Sequence, residues 1–142
     1  MGTSFARWIF SPLTRDLVPV FMLHRFHPDA SDGRRHSARF LEQALRLLRQ
    51  NGYRFVSLQD VQQAFTGASA PLGKCVCFTM DDGFLDQATI AAPIFLKYDC
   101  PVTMFLITGF LDGELWPWDA QVEYVFSQTK ATHFEVQVGH RL

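Results

Sequence analysis

The sequence predicts an α/β fold with parallel strands. Three observations carry this prediction. Short apolar runs alternate with stretches whose apolar residues recur at helical spacing. The runs hold few polar residues on either face, as strands do when both sides of a sheet are covered. A helix-length segment separates each run from the next, which parallel pairing and right-handed crossovers require.

The first run, Val18 to Leu23, has Pro19 near its start and His24-Arg25 at its end, and reads as a buried strand. Pro28 to Arg35, with Asp29, Ser31, Asp32 and Gly33, reads as a loop. Ser37 then suits a helix N-cap. Phe40, Leu41, Ala44, Leu47 and Leu48 share one face of that helix, and Gly52 stops it. Tyr53 to Val56 reads as a second strand. Ser57 and Asp60 have capping-box spacing, which predicts a helix over Leu58 to Phe65, ended by Gly67.

Lys74 to Thr79 reads as a third strand, with Cys75 and Cys77 on one face and Val76 and Phe78 on the other. A helix follows Gly83, with Pro93 in its first turn, where a missing N–H is harmless. Pro101 to Thr108 is a fourth strand, apolar on both faces except for Thr103. Gly109 to Trp116 is expected as a loop, Asp119 as the cap of a helix through Phe126, and Phe134 to Val138 as a final strand.

Composition narrows the function. The 142 residues are 48% hydrophobic and 19% charged, with 14 Phe, which excludes a disordered chain. The length suits a single domain over 1–142. Lys plus Arg is 13 against 14 Asp plus Glu, and the ten Arg are scattered, so no footprint for nucleic acid is present. Three Cys without framework spacing point to a reducing compartment and free thiols. No apolar run approaches the ~20 residues of a membrane span. The first ten residues lack a charged leader before an apolar stretch, and Ala6 interrupts a myristoylation pattern, so a cytoplasmic protein is expected.

In a parallel α/β sheet, ligand sites form on the loops after the strand C-termini. His24 follows the first strand, and Asp81 and Asp82 follow the third. One intervening strand would set them ~10 Å apart, or less if the sheet curls, which leaves room for a cation and a small substrate. Adjacent carboxylates repel unless a cation compensates, and a divalent metal is the usual one. Gly83 lets the backbone turn sharply or approach a ligand. The plainer alternative is that Asp81-Asp82-Gly83 is only a turn before a helix.

Thr79-Met80-Asp81-Asp82-Gly83 resembles the T-F-D-D-G motif of the polysaccharide deacetylase family, also called NodB-like or carbohydrate esterase family 4, with Met80 at the aromatic position. Phe84 and Asp86 continue the match. Val18-Pro19-Val20-Phe21-Met22-Leu23-His24-Arg25 resembles the V-P-V-L-x-Y-H strand of many members. Phe40 to Val61 resembles their F-x-x-Q-L-x-x-L-x-x-x-G-Y-x-x-V-S-L-x-x-V stretch, and Pro101 to Leu106 their P-A-T-F-F-L. The ordered set runs from residue 18 to residue 118.

The resemblance implies the N-terminal part of a distorted (β/α) barrel. It also implies a metal-dependent hydrolase that removes N-acetyl or O-acetyl groups from a polysaccharide or glycan, acting on carbon–nitrogen bonds other than peptide bonds. It assigns Asp81 as general base, Asp82 as metal ligand and His24 as general acid. The implied metal is zinc, with cobalt or nickel as alternatives. The metal would polarise the acetyl carbonyl and activate water, and His24 would protonate the leaving amine.

One family motif is absent. The H-S/T-x-x-H pair that supplies two further metal ligands does not occur in the sequence. His133 and His140 are seven residues apart, the wrong spacing, and His24 and His27 form a weaker substitute pair. In members with the early His, that pair follows the fourth strand. The expectation is therefore an incomplete deacetylase-like domain that ends before the pair. A half barrel would leave open sheet edges, which a second copy or a C-terminal remainder would cover.

Trp116 and Trp118 flank Pro117 and could stack on sugar rings, although aromatics also close cores. Arg25 is a substrate-binding candidate that could equally orient an active-site carboxylate or pair with a surface acid. Asp86 is expected to support the Asp81-Asp82 turn. Cys75 and Cys77 read as core residues. The competing functional reading is a non-catalytic relative that binds glycans or a partner. Magnesium-dependent phosphoryl chemistry is a third, although a haloacid-dehalogenase-like site needs D-x-D rather than adjacent Asp81-Asp82.

Overall fold

The computed structural model describes residues 17–29, 35–70, 72–133 and 135. Contacts divide the chain into two units, Met1–Ile107 and Thr108–Leu142, and each is described by itself.

In the first unit β1 is Val20–Leu23, β2 is Phe26–His27 and β3 is His36–Ser37, the last two forming a small parallel pair. Helix α1, Ala38–Gln50, starts where expected. The Ser37 side chain accepts a hydrogen bond from the Phe40 N–H. It ends at Gly52 (φ +77), where the Gly52 and Tyr53 N–H groups return to the carbonyls of Arg49 and Leu48. That closure needs a left-handed residue, which glycine adopts without penalty.

Strand β4 is Arg54–Val56 and α2 is Leu58–Phe65. The Ser57–Asp60 capping box forms in both directions, as its spacing predicts. Strand β5, Cys75–Asp82, is longer than expected and is the hub of the sheet. A π-helical turn, Gln87–Ala91, leads into α3, Ala92–Lys97, and β6 is Val102–Leu106. Pro93 sits in the first turn of α3 as expected, but the helical segment begins earlier. Pro93 has no N–H to offer the preceding turn, and there the ladder widens, with the Ala92 N–H reaching the Gln87 carbonyl.

Strands β1, β4 and β6 all pair with β5 in parallel. Cys77 pairs with Val20 of β1 and Val56 of β4, and Phe78 pairs with Phe21 of β1 and Val102 of β6. A strand has two edges. β1 therefore takes one, while β4 and β6 share the other, β4 along its first half and β6 along its second. This corrects the expected order, in which one strand separates β1 from β5. β4 is only three residues long and ends opposite Cys77, so it does not intervene.

The two faces of β5 divide as its alternation predicts. Val76, Phe78 and Met80 face one core with Phe26, Leu41, Leu45, Ala91 and Phe95. Cys75 and Cys77 face another with Val56 and Val61. Two expectations fail. Phe40 and Leu47 of α1 are exposed, and the buried stripe is Leu41 and Leu45; the Phe40 ring stacks instead on His36 at 5.9 Å. Strands β1 and β6 are also not buried. Phe21, Met22, Phe105 and Leu106 are exposed, because among the described residues each strand pairs only with β5.

In the second unit, α4 (Thr108–Leu111) occupies part of the segment expected as a loop, and α5 is Trp118–Gln128. Asp119 does not cap α5. Pro117 holds the N-cap position, and Asp119 lies in the first turn, where its charge suits the helix dipole. The strand expected over Phe134 to Val138 falls, apart from residue 135, outside the described residues. Among the described residues no helix is long and apolar enough to cross a membrane.

Candidate active site

The site forms at the C-terminal ends of β1 and β5. Leu23, the last residue of β1, pairs with Met80. The next residue on each strand is therefore His24 on one and Asp81 on the other. His24 Nε2 lies 3.8 Å from Asp81 Oδ2. The expected ~10 Å gap does not exist, because the two strands are direct neighbours. The His24 side chain is 46% exposed and that of Asp81 28%, so both groups are open to a ligand.

Asp82 completes β5 opposite Leu106 with φ +78, and Gly83 follows with φ +79. Two consecutive left-handed residues turn the chain sharply after the carboxylates. For Gly83 this is inexpensive, but for Asp82 it is strain, the kind found at sites where geometry serves function. A Cβ on Gly83 would stand 2.7 Å from Leu106 Cδ2, the end of an exposed side chain that can turn away, so it is the positive φ that favours glycine here.

The helical segment after Gly83 grips the chain around His24. The buried Gln87 donates through Nε2 to the His24 carbonyl at 2.7 Å and to the Asp81 carbonyl at 2.5 Å. Asp86 accepts from Arg25 Nε at 2.7 Å and from the Phe26 N–H at 3.0 Å. The Arg25 guanidinium lies over the Phe84 ring, 4.1 Å from its centre. Asp86 thus anchors the chain after His24 rather than the Asp81-Asp82 turn. Arg25 pairs with Asp86 and not with Asp81 or Asp82.

Sequence reasoning did not single out Gln87. The available signal was a polar residue in a buried stripe at spacing four, Gln87, Ala91 and Phe95.

Trp116 and Trp118 lie in the second unit. Both are exposed, and the Trp116 ring packs edge-on against Tyr124 at 5.4 Å. His27 accepts from the Asp29 N–H through Nδ1. The three cysteines are free and buried.

Catalytic zinc sites take three protein ligands and keep one position open. Among the described residues no three His, Cys, Asp or Glu side chains cluster to hold a metal ion. Asp82 therefore stands without two companion ligands there, and the described donors do not make up a zinc centre.

The fold has counterparts in known proteins. A Bacillus subtilis protein named as a polysaccharide deacetylase, YxkH, is 29% identical over 90 residues, covering 63% of this chain and 32% of that protein. The Escherichia coli poly-beta-1,6-N-acetyl-D-glucosamine N-deacetylase is 30% identical over 103 residues, 71% of this chain and 15% of that protein. The solved structure of IcaB from Ammonifex degensii superposes with a TM-score of 0.63 at 33% identity, covering 79% of this chain and 49% of that one. This chain is related in sequence and in fold to the NodB-like polysaccharide deacetylases. The parallel sheet with its helices corresponds to part of the (β/α) barrel of these deacetylases. No family model matches the chain. The chain spans a third or less of the curated deacetylases it matches, and about half of the solved one.

Proposed function

We propose that His24 and Asp81 form the acid–base pair of a hydrolase that removes N-acetyl or O-acetyl groups from a polysaccharide. The observation that supports this reading is their 3.8 Å separation at the open ends of adjacent parallel strands, in a chain whose relatives are named as deacetylases.

In the proposed reaction water adds to the acetyl carbonyl, and Asp81 takes the proton that the water loses. The carbon–nitrogen bond then breaks, the nitrogen takes a proton from His24, and acetate and a free amine leave. For an O-acetyl group a hydroxyl replaces the amine. Asp82 is the one metal ligand proposed from these residues, with zinc preferred and cobalt or nickel as alternatives. Arg25 is the proposed sugar contact of the first unit, and Trp116 and Trp118 are proposed as sugar-stacking residues of the second unit, each taken by itself.

Acetate release from N-acetylglucosamine oligomers, with and without added zinc, tests this reading. Release by the wild-type chain that is lost in Asp81→Asn supports it. No release by the wild-type chain under either condition overturns it. A second reading, a module that binds carbohydrate without hydrolysing it, is favoured by the lack of a three-donor cluster among the described residues. Calorimetric binding of the same oligomers without acetate release would select it.

A further inference from the structure

We infer that Gln87 is a positioning residue that sets the separation of His24 and Asp81. Its side chain is fully buried, and both of its amide hydrogens are committed. One goes to the carbonyl of His24 and the other to the carbonyl of Asp81, at 2.7 and 2.5 Å. These are the residues that leave the ends of two different strands.

The arrangement is costly. The Gln87 Oε1 atom is buried and, among the described residues, has no hydrogen-bond partner. A buried acceptor left unpaired lowers stability, and an apolar side chain of similar volume would avoid that loss. What only the carboxamide supplies is a link between the two carbonyls. The register of β1 with β5 ends at Leu23 and Met80. Gln87 takes over at that point.

The helix geometry places the amide there. Gln87 opens the π-helical turn, and its own carbonyl accepts the Ala92 N–H. π-turns inside helices recur at functional sites. Asp86, one residue earlier, fixes the chain just beyond His24 through the Phe26 N–H. The chain leaving His24 is thus held twice, by Gln87 at the His24 carbonyl and by Asp86 at the Phe26 N–H.

That this separation matters for hydrolysis rests on the deacetylase reading; that Gln87 sets it does not. The test uses Gln87→Met, which keeps the volume and removes both donors. The readout is the NMR signals of the His24 ring, assigned by their loss in His24→Gln. The expected result is a folded variant whose His24 ring signals move to the positions seen in Asp81→Asn, where the neighbouring carboxylate is gone. His24 ring signals unchanged from wild type overturn the inference.

If Gln87→Met does not fold, Gln87→Glu gives the same reading. Its carboxylate repels the two carbonyls within the same shape. Failure of both variants to fold would make Gln87 a folding residue and overturn the positioning role. Where the wild-type chain releases acetate, Gln87→Met is expected to lower kcat roughly 10–100-fold at unchanged KM. If the ring signals move as expected but no form of the chain releases acetate, the positioning role holds and the deacetylase reading falls.

Discussion

His24 Nε2 and Asp81 Oδ2, 3.8 Å apart, are neighbours because Leu23 and Met80 are register partners. The pair is a product of strand alignment. Positioned proton transfer contributes about 10²–10⁴-fold to hydrolytic rates. His24→Gln and Asp81→Asn are each expected to reduce acetate release by that order. Both side chains are partly exposed, so the thermal midpoint should shift little. Steady-state assays beside a melting curve check both statements.

The turn after the carboxylates makes opposite predictions for neighbouring residues. Gly83→Ala puts a Cβ in the left-handed region and against Leu106. It should cost about 1–2 kcal/mol of unfolding free energy. Asp82→Gly removes a strained non-glycine residue at φ +78. It should leave stability unchanged or raised, within about 1 kcal/mol. Urea unfolding of the two variants distinguishes the cases.

Helix α2 depends on its cap. Ser57→Ala should lower stability by about 1 kcal/mol. The hydrogen bonds from the Ser57 hydroxyl and N–H hold the Asp60 carboxyl below its ordinary value of 3.8. A lowered folded value means the contribution is complete above the unfolded value and disappears as pH falls through the folded one. The Ser57 amide resonance should therefore move only below about pH 4. A midpoint at or above the ordinary Asp value would contradict the capping box.

The cysteines should be inert in the folded chain. Burial pushes the Cys100 thiol up to about 12 and raises Cys75 and Cys77 as well. Thiolate is the reactive form. Iodoacetamide at pH 8 is expected to leave all three unmodified in buffer and to label them in denaturant, as mass spectrometry would show.

Much of the local structure was legible in the sequence. The Ser37 cap, the Ser57–Asp60 box and the Gly52 stop each follow from chemistry confined to a few residues. So does the division of β5, with its cysteines on one face and Val76 and Phe78 on the other. The exposure of Phe40 and of strands β1 and β6 was not legible. Apolar content shows what a strand prefers to bury, not which neighbours lie beside it. Gln87 was missed because its partners are carbonyls, which leave no mark on side-chain pattern.

The sequence by itself determined the α/β class and the ends of α1 and α2 at Ser37, Gly52 and the Ser57–Asp60 box, and it offered His24, Asp81 and Asp82 as candidates. Each of these rests on interactions within a turn or two of chain. Only the tertiary structure decided that β1 lies directly against β5, that Arg25 pairs with Asp86, and that Gln87 joins the two strand ends. Those contacts join residues about sixty positions apart. Strand order and register set them, and local pattern does not encode either one.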